Sequence, residues 1–190
     1  MIDLSVLILA GGGSSRLGVC KQMIQYHDKT LIQNACYKAS QLSKSVTVVT
    51  GAYHHRVEAE ISHLPVDILF NENWESGVAS SLSVAVKRQF NSDRILIMYC
   101  DQPFIPLDHY RSLIDLSNKE HKAIVATEYD DIFTIPAIFP HHLFYELTTT
   151  ESDDPAADII NKHRSELRSI SCQKAAFSVD TAADMMSLKK

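Results

Sequence analysis

Residues Leu4–Lys21 read LSVLILAGGGSSRLGVCK. Leu4–Ala10 is an apolar run of strand length, interrupted only by Ser5, that stops at Gly11, Gly12 and Gly13. A run without polar alternation is the pattern of a strand buried on both faces, as in a parallel sheet with helices on either side. The glycines let the chain turn sharply and bring main-chain N–H groups close to a ligand. Ser14 and Ser15 add hydroxyls, and Arg16 and Lys21 add two cations. Main-chain donors beside an Arg and a Lys suit a polyphosphate.

The pattern outward from this turn alternates between strands and helices. Thr30–Leu42 reads as a helix, Ser45–Thr50 as a strand closed by Gly51, and Tyr53–His63 as a helix. Val66–Phe70 reads as a strand, and Gly77–Phe90 as a helix burying Val78, Leu82, Ala85 and Val86. Arg94–Tyr99 is the next strand, Leu107–Leu116 a helix and Ala123–Thr127 a further strand. This alternation predicts an α/β fold, a doubly wound and mostly parallel sheet with helices on both faces. After Asp130 the pattern is less regular. Ile135–Phe139 reads as a strand, His141–Leu147 and Pro155–His163 as helices, and Thr181–Leu188 as a last helix capped by Thr181 or Asp180. No linker or repeat divides the chain, so residues 1–190 read as one domain. Ligands of open α/β sheets sit beyond the carboxyl ends of strands. That rule marks Gly11–Lys21, Gly51–Ala52 and Cys100–Pro103.

Composition narrows the class. A net charge of −5 argues against nucleic acid as a partner, since such binding depends on neutralising phosphates. Cys20, Cys36, Cys100 and Cys172 form no CxxC pair and fit no zinc spacing. They read as free thiols of a reducing compartment. The N-terminal apolar run lacks a basic flank and is too short to cross a membrane, so the expectation is a cytoplasmic protein without a membrane partner. His54, His55, His141 and His142 occur as adjacent pairs whose side chains diverge, and they read as surface residues.

Two other glycine-loop readings fit less well. Gly13 and Gly18 have P-loop separation, but Val19 stands where that loop has Lys. Gly11 and Gly13 begin a dinucleotide fingerprint, but Arg16 occupies its third glycine position. A tight turn without a ligand is the remaining alternative.

Leu9, Ala10, Gly11, Gly12, Ser14, Arg16, Gly18 and Lys21 fill a pattern that resembles L-A-[AG]-G-x-S-x-R-x-G-x-x-K, the signature of the MobA-like nucleotidyltransferases. Lys21–Asn34 is similar to that family's next block, including Lys29–Thr30–Leu31. Asn71–Leu82 (NENWESGVASSL) resembles a block of the molybdenum-cofactor cytidylyltransferase branch, and Asp101–Pro103 resembles the metal-binding acidic motif. Thr134–Leu147 matches a later block at Pro136, Phe139, Phe144 and Leu147, with Thr134 in place of a glycine. Where the family has G-D-x-G-A-R, this chain has Ser152–Ala157, which keeps Asp153 but lacks the glycines and the arginine. Val179–Asp180–Thr181 resembles a D-x-D-T block, with Ser178 in place of its first Asp.

The resemblance implies a Mg2+-dependent enzyme that transfers CMP from CTP to the terminal phosphate of a molybdopterin-type acceptor. It implies Arg16, Lys21 and Asp101 as catalytic residues, and Asp101 and Asp180 as metal ligands. Nucleotide contacts fall to Ala10, Gly11, Gly12, Gly13, Ser14, Ser15, Arg16, Lys21, Thr50, Gly51, Gly77, Ser80 and Ser81. Gly11 points the other way on the base, because the cytidylyl branch more often has Ala there and a smaller residue admits a larger base such as that of GTP. A guanylyl or sugar-phosphate nucleotidyltransferase is therefore one alternative. A non-catalytic protein that escorts the cofactor to a molybdoenzyme or its chaperone is the other.

Overall fold

β1 (Leu4–Ala10) lies inside the main sheet, with every residue from Ser5 onward buried. The computed structural model describes residues 3–188. In chain order there follow β2 (Gln25–Tyr26), β3 (Lys29–Thr30), α1 (Leu31–Ser40), β4 (Ser45–Thr50), α2 (His54–Ile61), β5 (Asp67–Phe70) and α3 (Val78–Arg88). The remainder comprises β6 (Arg94–Tyr99), α4 (Leu107–Ser117), β7 (Ile124–Tyr129), β8 (Ile132–Pro140), α5 (Phe144–Thr149), α6 (Pro155–Lys162), β9 (Leu167–Ser171) and α7 (Ala182–Ser187). β2 and β3 form a small separate hairpin.

The main sheet has the order β5-β4-β1-β6-β8-β7-β9. β1 pairs in parallel with β4 and β6. The alternation of strand side chains divides the core into two layers. Val6, Ile8, Val46, Val48 and Met98 pack against Ile32 and Ala35 of α1, Val57 of α2 and Leu113 of α4. Leu7, Leu9, Val49, Ile95 and Ile97 pack on the opposite face against Leu82 and Val86 of α3, Phe144 of α5 and Ile159 of α6. Burial on both faces is why these strands are mostly apolar, with Ser5 and Thr47 among the buried polar exceptions.

Four features depart from the sequence expectation. β8 runs antiparallel to both β6 and β7, because β7 and β8 are joined by a tight turn at Asp130 and Asp131, both at positive φ. Two such residues make a hairpin connection, and Asp tolerates that conformation. β9, parallel to β7 at the sheet edge, was not expected, since LRSIS is short and half polar. Gly77 lies outside α3: its φ of 95° and ψ of −177° end the preceding 3-10 turn and begin the helix. The predicted helix His141–Leu147 divides into a 3-10 turn at His141–Leu143 and α5.

Caps set the other boundaries. Thr30 and Gln33 form a reciprocal capping box on α1. Asp154 accepts from the Ala157 N–H at the start of α6, with Pro155 following it. Thr181, not Asp180, caps α7 through a box with Asp184. Asp180 is thereby free to face the sheet end.

Candidate active site

The carboxyl ends of β1 and β6 open on one cleft of about 300 Å3. It is lined by Ala10–Gly13, Lys21, Gln22, Trp74, Gly77, Ser81, Tyr99 and Asp101, among others. The glycine loop leaves β1 and reverses at Ser14, which has a φ of 53°. The Ser14 carbonyl accepts from Leu17 and Gly18 N–H, and its hydroxyl oxygen accepts from Lys21 N–H at 3.3 Å. The turn returns the chain so that Lys21 points into the cleft.

Lys21 Nζ donates to Asp101 Oδ2 and to Asp180 Oδ1, each at 2.8 Å. Asp101 lies just beyond β6, after Cys100. Asp180 arrives from the far end of the chain, held there because the Val179 N–H donates to the Asp101 carbonyl at 3.0 Å. Burial by itself pushes the Lys21 ammonium down, but the two carboxylates outweigh it and hold the group up at about 12. Burial pushes the Asp101 carboxyl above its usual range against the opposing pull of Lys21. For Asp180, burial opposes ionisation, but hydrogen bonds from Lys21 and Ser178 prevail and lower it. Arg16 is exposed and reaches Asp180 only at 3.6 Å.

Asp101 Oδ1 is buried and has no hydrogen-bond partner. A buried anionic oxygen without a donor is costly unless a cation meets it. With Asp180 alongside, the donor set is hard carboxylate oxygen, which suits Mg2+ or Mn2+. The residues present therefore fit a divalent cation. Among the described residues, one further group of metal-type donors occurs at His54, His55 and Glu58, whose ligand atoms lie within 4.8 Å of one another. Those neighbouring histidines thus diverge less than the sequence reading assumed. His55, His141 and His142 are exposed, while His54 is half-covered, stacked on Phe70.

The other sequence-selected residues divide between the cleft and its surroundings. Ala10, Gly11, Gly12, Gly13, Gly77 and Ser81 line it. Ser14 shapes the turn beneath it, and Ser15 is exposed. Thr50 is fully buried, with its hydroxyl donated to the Leu69 carbonyl and bonded to His54 Nδ1. Main-chain groups at Thr50, Gly51 and Ala52 are bonded to Asn71, His54 and Gly11. Gly51 is fixed by close approach: a Cβ there would collide with the Gly11 carbonyl oxygen and with Trp74 Cβ at 2.6 Å. Ser80 belongs to an adjoining groove, where its hydroxyl donates to the Asn73 carbonyl at 2.8 Å.

Two residues that the sequence reading passed over support the cleft. Gln22 is buried, and its Nε2 donates to the Ala10 carbonyl at 2.7 Å and the Gly12 carbonyl at 3.2 Å. It ties up the outward carbonyls of the glycine loop. Lys38 of α1 donates to the Pro103 carbonyl at 2.8 Å and the Ile105 carbonyl at 2.7 Å, which clamps the turn carrying Asp101. Burial lowers its ammonium to about 8. A Gln directly after Lys21, and a lone Lys on the apolar face of a helix, were the available signals.

Residues 6–167 match the family model described as the MobA-like NTP transferase domain. The probable molybdenum cofactor guanylyltransferase of Peptoclostridium acidaminophilum is 28% identical over 153 residues, covering 78% of this chain and 64% of that protein. The molybdenum cofactor cytidylyltransferase of Escherichia coli (strain K12) is 24% identical over 119 residues, covering 62% of each. The chain thus spans less than two thirds of the length of either relative. Among solved structures, Rv0371c from Mycobacterium tuberculosis H37Rv superposes with a TM-score of 0.87 at 27% identity, covering 98% of this chain and 97% of that one.

Proposed function

The chain belongs to the MobA-like NTP transferase family, and from that premise we propose that it transfers CMP from CTP to the terminal phosphate of a molybdopterin-type acceptor. The observation that carries this reading is the Lys21 ammonium, 2.8 Å from both Asp101 and Asp180 at the foot of the glycine loop. A cation between two carboxylates, beside open main-chain amides, is arranged for phosphoryl charge. An acceptor phosphate oxygen attacks the α-phosphorus in line, the bond to the bridging oxygen breaks, and pyrophosphate leaves with the electron pair. The attacking phosphate is already ionised at neutral pH, so no general base is required. The protein's part is positioning and charge stabilisation.

The amides of Gly11–Gly13 bind the polyphosphate, and Gln22 keeps their carbonyls turned away. Lys21 moves from the carboxylates to the phosphoryl oxygens as nucleotide enters. Arg16, exposed at the rim, folds over the phosphates. Asp101 and Asp180 would hold a divalent cation, which supplies charge neutralisation at the phosphates when bound.

A guanylyl reading has one observation in its favour. Gly11 carries no side chain, and a Cβ there would stand 3.1 Å from Ser81 Oγ. Its absence leaves room for a larger base. Incubation with each of the four triphosphates, Mg2+ and the phosphorylated pterin, following pyrophosphate release, decides between the two. CTP is expected to lead. A preference for GTP would replace the cytidylyl reading with the guanylyl one, and binding of CTP without pyrophosphate release would favour a cofactor-escort role. Asp101→Asn is expected to lower turnover by ~10²–10³-fold, the usual loss for one preorganised electrostatic contact, and to weaken Mn2+ binding measured by paramagnetic relaxation. Unchanged Mn2+ affinity would remove Asp101 from the metal site.

A further inference from the structure

The two adjacent histidine pairs of the chain are used differently. His141 Nδ1 donates to the Ser92 carbonyl at 3.0 Å, and His142 Nε2 donates to Glu166 Oε2 at 3.0 Å. Each of those rings has its own acceptor. His54 and His55 instead approach each other, with ring centroids 5.0 Å apart, although neighbours on a helix differ by about 100° in direction. Glu58 joins them one turn further along α2, on the face of His54. The ligand atoms of the three lie within 4.8 Å of one another, and both histidines line a groove of about 490 Å3.

The proton on His54 is fixed from outside this group. The Thr50 hydroxyl has one hydrogen, and the Leu69 carbonyl, 3.4 Å away, can only accept it. The Thr50 oxygen, 2.8 Å from His54 Nδ1, therefore accepts from the ring. A neutral His54 then carries its proton on Nδ1 and a lone pair on Nε2. Nε2 stands 3.6 Å from Glu58 Oε2, beyond hydrogen-bond length. Two acceptor atoms face each other with no proton between them, which is what a cation requires. Thr50 is fully buried, and stacking on Phe70, with centroids 4.5 Å apart, holds the imidazole in this orientation.

We propose that His54 Nε2, His55 and Glu58 form a binding site for a borderline divalent transition metal such as Zn2+, separate from the carboxylate pair Asp101 and Asp180. Two imidazoles and one carboxylate suit Zn2+, Co2+, Ni2+ or Cu2+, whereas Mg2+ takes oxygen ligands. Ligand atoms bonded to a tetrahedral zinc at about 2.0–2.1 Å stand about 3.3 Å apart, close to the 3.6 Å between Nε2 and Oε2. His55 and Glu58 are exposed, so rotation of their side chains closes the remaining distance. The bond from His54 Nδ1 to Thr50 is the outer contact that orients a ligating imidazole. Three protein ligands leave a fourth position for water.

The test is calorimetric titration of the untagged chain with Zn2+, together with Co2+ followed by its visible absorption. The natural chain and Asp101→Asn, in which the carboxylate pair of the cleft is broken, are both expected to bind one Zn2+ at this site and to give the intense band of four-coordinate Co2+. His55→Ala and Glu58→Gln, at exposed positions, should each weaken Zn2+ ~10-fold or more, since even an outer contact of a ligand is usually worth that much. Both variants should keep the Mn2+ affinity of the cleft, which reports that they are folded. NMR of the imidazole nitrogens in the metal-free chain should show His54 protonated at Nδ1, with Nε2 shifting as Zn2+ is added. Protonation of neutral His54 at Nε2, or equal Zn2+ affinity in the natural chain and both exposed variants, would overturn the proposal. Loss of Zn2+ in Asp101→Asn, with His55→Ala and Glu58→Gln unaffected, would place the metal in the cleft and overturn it equally.

Discussion

Lys21 Nζ lies 2.8 Å from Asp180 Oδ1, joining residues 159 positions apart in the chain. The same ammonium meets Asp101 at 2.8 Å, so one cation holds two carboxylates together.

Lys21→Met removes the ammonium from between the two carboxylates and leaves Arg16, 3.6 Å from Asp180, as the nearby cation. Because folding raises the Lys21 pKa to about 12, the pairing stabilises the fold fully below the unfolded value of about 10.4 and is lost as pH rises toward about 12. Urea midpoints measured across that range are expected to fall for the natural chain and to stay flatter in the variant. Turnover of the variant should drop ~10²–10³-fold. Parallel alkaline profiles for the two proteins would mean that Lys21 is not paired as described.

Lys38→Met strips the Pro103 and Ile105 carbonyls of their donor. Each bare carbonyl costs ~1–3 kcal/mol, so for the two a destabilisation of ~2–6 kcal/mol is expected. Folding lowers the Lys38 pKa to about 8, so between about 8 and about 10.4 the unfolded chain binds more protons. The natural chain should accordingly gain stability relative to the variant as pH rises through that window. Arg at this position is too wide for the two-carbonyl clamp, so Lys38→Arg should rescue little. Full rescue by Arg would show that charge alone, without the clamp, is sufficient.

Gln22→Leu removes the amide that engages the Ala10 and Gly12 carbonyls. The glycine loop then has two unsatisfied acceptors and no fixed orientation for its amides. The expected effect is a KM for nucleotide raised ~10-fold or more, with a smaller change in kcat, since ~1–3 kcal/mol is lost for each orphaned acceptor. A fall in kcat at constant KM would place Gln22 in transition-state stabilisation instead.

Gly11→Ala places a methyl 3.1 Å from Ser81 Oγ, a contact that costs ~1 kcal/mol unless Ser81 yields. The ratio of kcat/KM for CTP over GTP is expected to rise in this variant. Adding Ser81→Ala should relieve the crowding, lower that ratio again and recover stability, a coupling that a double-mutant cycle measures. Additive effects would mean that the two side chains do not share the space.

Much of the fold is written locally. The apolar run of β1, the capping pair Thr30 and Gln33, and Pro155 behind Asp154 each fix an element within a few residues. The antiparallel course of β8 was hidden because its turn uses Asp130 and Asp131, whose left-handed conformation has no strong local signature such as Asn-Gly. β9 was hidden because an edge strand buries too little apolar surface to show a pattern.

The site divides in the same way. The sequence by itself determined the glycine loop, its position after a buried strand, and the presence of Lys21 and Asp101, because backbone freedom and residue chemistry are local properties. Only the tertiary structure decided how Asp180, which the resemblance had already paired with Asp101, is held beside it by the Val179–Asp101 main-chain bond, that Gln22 and Lys38 brace the loops from beneath, and that Gly51 is fixed by contact with Gly11 and Trp74. Hydrogen bonding and charge depend on distances in space, and those exist only once the sheet has brought the strand ends together.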